Sequence, residues 1–185
     1  VLRSLGYVAS GGRSGPGDLV DPSLVDPKDR ATFAVLFDEA VLATQAGRAA
    51  ESLAAFTKLR AIEPDNPALL FELGQAQIRA GQLVQAKEAY QRLLKVRPDM
   101  GVAWFRYAQL LDNSHEWEQA EAAYRRAVQV DPNNMDARKA LGSLLAENKR
   151  YGEAIVELEQ AAERDPADIA VKRELERLWQ ATRKR

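Results

Sequence analysis

From residue 31 onward, apolar side chains return every three or four positions, and the whole arrangement returns every 34 residues. In the first such stretch, starting at Phe33, Leu36, Ala40 and Ala43 fall at i, i+4 and i+7, one stripe of a helix. A second stripe follows at once: Leu53, Phe56, Leu59 and Ile62. Pro64 ends it, because the residue before a proline avoids helical geometry. Gly47 lies between the stripes, where a left-handed backbone closes the first helix at little cost. The pattern predicts a helical hairpin.

The hairpin recurs. Residues 101–134 laid on residues 67–100 place Tyr124 on Tyr90, Ala120 on Ala86 and Pro132 on Pro98. A fixed period of this length is the mark of a repeat array, in which each unit buries its apolar face only against its neighbours. Four copies follow, at 31–66, 67–100, 101–134 and 135–168, with turns at Gly47, Gly81, His115 and Lys149 and stop prolines at Pro64, Pro98, Pro132 and Pro166. Asn66 before Pro67 reads as an N-cap with proline in the first turn, and Asp99 and Asn133 read as caps for the hairpins after them.

Ala40, Gly74, Ala108 and Gly142 share one position of the first helix, and Ser52, Ala86, Ala120 and Ala154 share one of the second. Small side chains there let paired helices approach to ~8–10 Å. Phe56, Tyr90, Tyr124 and Leu158 are large and reach towards the neighbouring hairpin. Residues 169–185 extend as a helix with Val171, Leu175, Leu178 and Trp179 on one side and charges on the other, a suitable cover for the apolar end of an array.

Trp104, Tyr107, Ala108, Leu111, Ala120, Tyr124, Ala127 and Pro132 together resemble the tetratricopeptide repeat, and the other copies match with ordinary substitutions from Ala31 to Asp168. The resemblance implies an all-α fold, a right-handed superhelical solenoid of four hairpins and a capping helix. It departs at Leu59 and Leu93, where a small residue is usual, and at Arg138.

Residues 1–30 read as an extended arm or linker. They hold five of the eleven glycines and three of the eight prolines, and their Asp21-Pro22 and Asp26-Pro27 steps break regular structure. Apolar residues such as Leu5, Tyr7, Val20 and Leu24 are scattered through them. The runs Leu2 to Val8 and Asp26 to Arg30 resemble the end of the catalytic domain in bacterial sulfatase-like hydrolases that carry a repeat tail. That resemblance implies a fragment serving as the non-catalytic tail of an exported or periplasmic enzyme. The alternative is a stand-alone cytoplasmic adaptor or self-associating scaffold. The nucleophile motif of those hydrolases, Cys or Ser followed by x-Pro-x-Arg, does not occur here.

Composition narrows the chemistry. With 26 basic and 27 acidic residues and a pI near 6.0, the chain offers no general footprint for nucleic acid. No apolar run approaches the ~20 residues of a membrane span. There is no cysteine, and the single histidine, His115, lies at an expected turn beside Asn113, Ser114 and Glu116. Carboxylates such as Glu153, Glu157 and Glu159 read as solvated partners for Lys149 and Arg150. No catalytic constellation, cofactor or metal site is expected.

The informative face belongs to the first helix of each hairpin. With repeat positions 4, 7, 8 and 11 packed inward, positions 2, 5, 9 and 12 turn to an adjoining face, which in tetratricopeptide repeats lines the concave groove. Phe37, Phe71 and Phe105 fall there with the period of the repeat, and Lys139 breaks the ladder in the fourth copy. The expected partner-binding set is Phe37, Val41, Phe71, Gln75, Ile78, Phe105, Gln109, Asn134 and Lys139. Burying a phenylalanine is worth about 1.5–3 kcal/mol, so three open rings would call for a cover. One reading is a groove for a protein or peptide segment, with Gln75, Gln109 and Asn134 bonding to its backbone. In the other reading, neighbouring hairpins already shield the rings. The chain's own arm, an upstream catalytic domain and a second copy are the candidate occupants besides a separate protein. A carboxylate clamp of the kind found in chaperone-binding relatives is disfavoured, because Phe37 and Val41 stand where lysine and asparagine would be needed.

Overall fold

The computed structural model describes residues 27–183, with side chains from residue 31. Among them are nine helices and no strand: α1 (Pro27–Gln45), α2 (Ala49–Ile62), α3 (Pro67–Arg79), α4 (Leu83–Val96), α5 (Gly101–Asn113), α6 (Trp117–Val130), α7 (Met135–Glu147), α8 (Tyr151–Arg164) and α9 (Ile169–Arg183). The chain divides into two compact units, Val1–Ala80 and Gly81–Arg185. None of the described helices is long and apolar enough to cross a membrane.

In the first unit, α1 and α2 pair as a hairpin and α3 packs on both. Phe33, Phe37, Ala40, Phe56, Leu59, Leu69, Leu73 and Ala76 form the core. Leu59, at a position where a small residue is usual, is fully buried. Ala40 and Ser52 hold the hairpin close, and their neighbourhood is stitched by polar contacts. Thr44 Oγ1 donates to the Ala40 carbonyl at 2.9 Å and lies 2.5 Å from Ser52 Oγ, while Arg79 donates to the Thr44 carbonyl at 2.8 Å. Every polar atom of that buried Thr–Ser pair thus has a use.

In the second unit each helix packs on the next, from α4 against α5 through α8 against α9. Ala108, Ala120, Ala127, Ala137, Ala154 and Ala161 line the core beside Leu111, Tyr124, Leu141, Leu145 and Leu158, and Val171, Leu175 and Leu178 of α9 join it. The capping helix therefore does cover the end of the fourth hairpin. Gly142 needs to be small: a Cβ there would lie 2.7 Å from Leu158 Cγ and 2.9 Å from its Cδ2.

The four expected turns are all left-handed, with φ of 74° at Gly47 and Gly81 and 60° at His115 and Lys149. At the last two, an ordinary side chain takes a conformation that glycine adopts more cheaply.

Several local expectations are corrected. The helix starts four residues before Ala31, at Pro27, because proline's missing N–H is one that a first turn leaves unpaired anyway. The sulfatase-like run Leu2 to Val8 and the rest of residues 1–26 lie outside the described residues. Ile62 is exposed, since a string of i+3 steps drifts about 60° per step around a helix and by Ile62 has left the core. Trp179, at the edge of the Val171–Leu175–Leu178 stripe, is also exposed.

Two caps shift as well. Asn66 caps α3 as expected, its Oδ1 accepting from Leu69 N–H at 3.1 Å. By contrast α5 begins after Met100 with no side-chain cap, and Asp99 pairs with Arg97 instead. The cap of α7 is Asn134, not Asn133, whose own N–H donates to Asp131.

Candidate functional site

The expected partner-binding residues separate into rings closed by the fold and side chains left at the surface. Phe37 is buried: it stacks on Phe33 at 6.1 Å between centroids and meets Phe56 edge-on at 6.1 Å. Phe105 is buried too, tilted against Tyr124 at 6.1 Å, with the Arg106 guanidinium 5.7 Å from its centroid. The expectation of an open ladder is thereby corrected for these two. In the first and third hairpins, position 5 faces the second helix of the same hairpin closely enough for aromatic contact, so the ring completes the core. Phe71 is half-buried.

In the first unit, Val41, Phe71, Gln75 and Ile78 are all half-buried, on helices α1 and α3 that pack on one another. Gln75 Nε2 donates to Glu72 Oε2 at 3.2 Å, leaving its carbonyl oxygen uncommitted to that contact. Burial pushes the Glu72 carboxyl above its ordinary range, and the Arg79 charge opposes the shift. Thr44, the fourth member of this face in the first copy, is buried and bonded.

The corresponding residues of the second unit are polar. Gln109 accepts from Arg106 at 3.0 Å. Asn134 Oδ1 accepts from the Ala137 N–H at 3.0 Å, so its oxygen caps α7. Lys139 lies 3.2 Å from Asp136 Oδ1 and 3.4 Å from Asp168 Oδ2, and its hydrogen bond to Asp136, with help from Asp168, raises its pKa. Asp168 also receives the N–H groups of Ala170 and Val171 at the start of α9, and those bonds with Lys139 hold its carboxyl low. Lys139 thus ties the fourth hairpin to the cap.

The supporting residues Glu72, Arg106 and Asp136 were not singled out from the sequence. Each stands three positions before the residue it holds, Gln75, Gln109 or Lys139, and that helical i, i+3 spacing is a readable signal. Buried Tyr124 donates to Asp112 Oδ2 at 3.4 Å, and burial with that nearby carboxylate pushes its phenol pKa up. His115 is exposed, with its ring edge-on to Trp117 at 5.6 Å. Glu157 departs from its expected solvated role. It is largely buried and pairs with Arg138 at 2.9 Å. Among the described residues, no group of three or more His, Asp or Glu side chains is placed to hold a metal.

Two family models, both described as tetratricopeptide repeat, match the sequence, one over residues 43–113 and 79–134 and the other over 108–169. A search of curated proteins returned no match. Solved structures are similar in fold. A crystal structure of MamA protein superposes with a TM-score of 0.78 at 18% identity, covering 83% of this chain and 84% of that one. A MamA structure from Desulfovibrio magneticus RS-1 gives 0.72 at 20% identity, covering 79% and 82%. A tetratricopeptide repeat protein from Parabacteroides merdae ATCC 43184 gives 0.75 at 20% identity, covering 82% of this chain and 61% of the other.

Proposed function

We propose that this chain, which belongs to the tetratricopeptide repeat family, is a protein-interaction module that receives an apolar segment of a partner on the first-helix face of residues 31–80. The observation that carries the reading is the half-buried set Val41, Phe71 and Ile78, with Gln75 beside it. Apolar side chains left partly open on packed helices gain ~25 cal/mol for every Å² that a partner covers, and an amide such as Gln75 fixes the register of a bound backbone. In the second unit Gln109 and Lys139 are candidates for polar contacts, while buried Phe105 contributes stability to its hairpin.

Capture of partners from the source organism with wild-type and Phe71→Ala protein tests this reading. A protein retained by the first and lost by the second, with helicity by circular dichroism unchanged, is the expected outcome. Equal retention by both contradicts it, as does a loss of helicity, which would make Phe71 core.

A narrower reading places the module as the tail of a sulfatase-like hydrolase. It rests on the Leu2–Val8 and Asp26–Arg30 runs alone. Reading the gene upstream of Val1 tests it. A gene without a metal-dependent hydrolase domain there overturns the tail and leaves the module standing, as a stand-alone adaptor or self-associating scaffold.

A further inference from the structure

The second unit carries a repeated feature that the first-helix face does not include. An open cleft of about 350 Å³ lies between α4 and α5, lined by Gln91, Leu94, Lys95, Trp104 and Tyr107. Another of about 400 Å³ has Arg126, Val128 and Gln129 of α6 on one side, with Leu141 and Glu157 opposite. The two are one repeat apart: Leu94 and Val128, Lys95 and Gln129, and Tyr107 and Leu141 are each separated by 34 positions. The clefts recur with the period of the array, so an apolar floor returns at a spacing set by the stacking, while the cation at each rim comes from a different repeat position, Lys95 in one and Arg126 in the other.

The chemistry of the clefts selects their ligand. Each has an apolar floor, Leu94 with Trp104 and Tyr107 in one, Val128 with Leu141 in the other. The polar tips of the aromatic walls are already bonded within the chain, since Trp104 Nε1 donates to the Pro98 carbonyl at 2.9 Å and Tyr107 Oη accepts from Gln91 at 2.7 Å. Their rings, edge to face at 6.4 Å, remain as apolar walls. Tyr107 has accepted a bond and still has a hydroxyl hydrogen to donate.

Charge at the rims is one-sided. Among the described residues, Lys95 is exposed with no ion pair, and Arg126 is exposed and bonded only to the neutral Gln129 at 2.7 Å. Glu157, the acid of the second cleft, is neutralised by Arg138. Arg125, which also borders that cleft, is neutralised by Glu121 and Glu153. Among the described residues, each cleft therefore pairs an apolar floor with one uncompensated cation.

We propose that this second-helix face of residues 81–185 is a docking surface for an acidic protein segment, an aliphatic side chain entering each cleft and a carboxylate meeting Lys95 or Arg126. The residues lining these clefts are distinct from those of the first-helix face. Two clefts one repeat apart favour segments carrying an aliphatic–acidic pair twice, because the second contact forms at high effective concentration.

Fluorescence anisotropy of the full chain with a fluorescein-labelled peptide built of leucine and glutamate tests the proposal, against the same peptide with lysine for every glutamate. The acidic peptide is expected to bind and the basic one not. The Lys95→Glu/Arg126→Glu double variant, altered only at exposed side chains, should bind it at least about tenfold more weakly, and added salt should weaken wild-type binding as it screens the pairs. The Phe71→Ala variant should bind it unchanged, which separates this surface from the proposed partner face. No binding of the acidic peptide, equal binding of the basic one, or full binding by the double variant would each overturn the docking surface.

Discussion

Hairpins three and four, α5 with α6 and α7 with α8, occupy equivalent places in the repeat and fill them with different chemistry. Trp104 and Arg138 share one position, and both send a side-chain N–H to the same backbone acceptor, the carbonyl of the preceding stop proline: Trp104 Nε1 to Pro98 at 2.9 Å and Arg138 Nε to Pro132 at 3.3 Å. In these two hairpins the position supplies a donor and a flat group, whereas the first two carry Leu36 and Leu70 there. Arginine brings a charge that indole does not, and the fourth hairpin answers with Glu157 where the third has Ala123. A largely buried charge without its partner costs far more than the pair contributes. The two substitutions are therefore one change.

The same contrast runs through the rest of the pair. Phe105 closes on Tyr124, whereas its counterpart Lys139 reaches Asp136 and Asp168. Ala108 faces a core with a flat tyrosine, whereas Gly142 faces the branched Leu158 and has no room for a methyl. The junctions differ in sign. Lys87 meets Glu116 at 2.5 Å between the second and third hairpins, and one repeat later Glu121 meets Arg150 at 2.6 Å. Reversed polarity at successive junctions favours the native neighbours, since stacking the third hairpin on another like itself would set Glu121 against Glu116.

The largest effect is expected from Gly142→Leu, which drives a side chain into Leu158 and should lower unfolding stability by about 3 kcal/mol in a urea titration. Next, Arg138→Leu strands Glu157 and should cost about 2–3 kcal/mol. Arg138→Trp combined with Glu157→Ala turns the fourth hairpin into the chemistry of the third and should recover most of that loss. A combined variant no more stable than Arg138→Leu would show that the two residues are not coupled.

Smaller effects follow at the turns. His115→Gly and Lys149→Gly should each raise stability by up to about 1 kcal/mol by relieving left-handed backbone, and Gly47→Ala should lower it by a similar amount. Thermal melts of the three variants check both signs. The smallest change belongs to the junction. Lys87→Glu should cost about 1 kcal/mol or less at low salt, and adding Glu116→Lys should restore it. Persistence of the deficit in the doubly exchanged protein would remove the polarity argument.

Much of the architecture was legible because an array repeats its own evidence. The period, the stop prolines, the small–large pairing and the left-handed turns at Gly47, Gly81, His115 and Lys149 each appear four times, so one ambiguous residue is corrected by its counterparts. What escaped was specific to single copies. Asp99 and Asn133 resemble caps, but an Asp–Arg pair and a cap one residue later take their place. Face assignment by periodicity gave Phe37 and Phe105 correct helical positions without revealing that the partner helix already covers them. That depends on how close two helices come, which spacing along one helix does not encode. Glu157 escaped for the same reason, its partner Arg138 lying 19 positions away on another helix.

The half-buried apolar face of residues 31–80 is proposed to bind a partner. Its most direct test is the dissociation constant of a captured partner for wild-type, Phe71→Ala and Gln75→Ala chains, each with its melting temperature. A loss of at least about tenfold is expected for Phe71→Ala and a smaller loss for Gln75→Ala, with melting temperatures close to wild type. Unchanged affinity for both variants, in chains that fold normally, would contradict it.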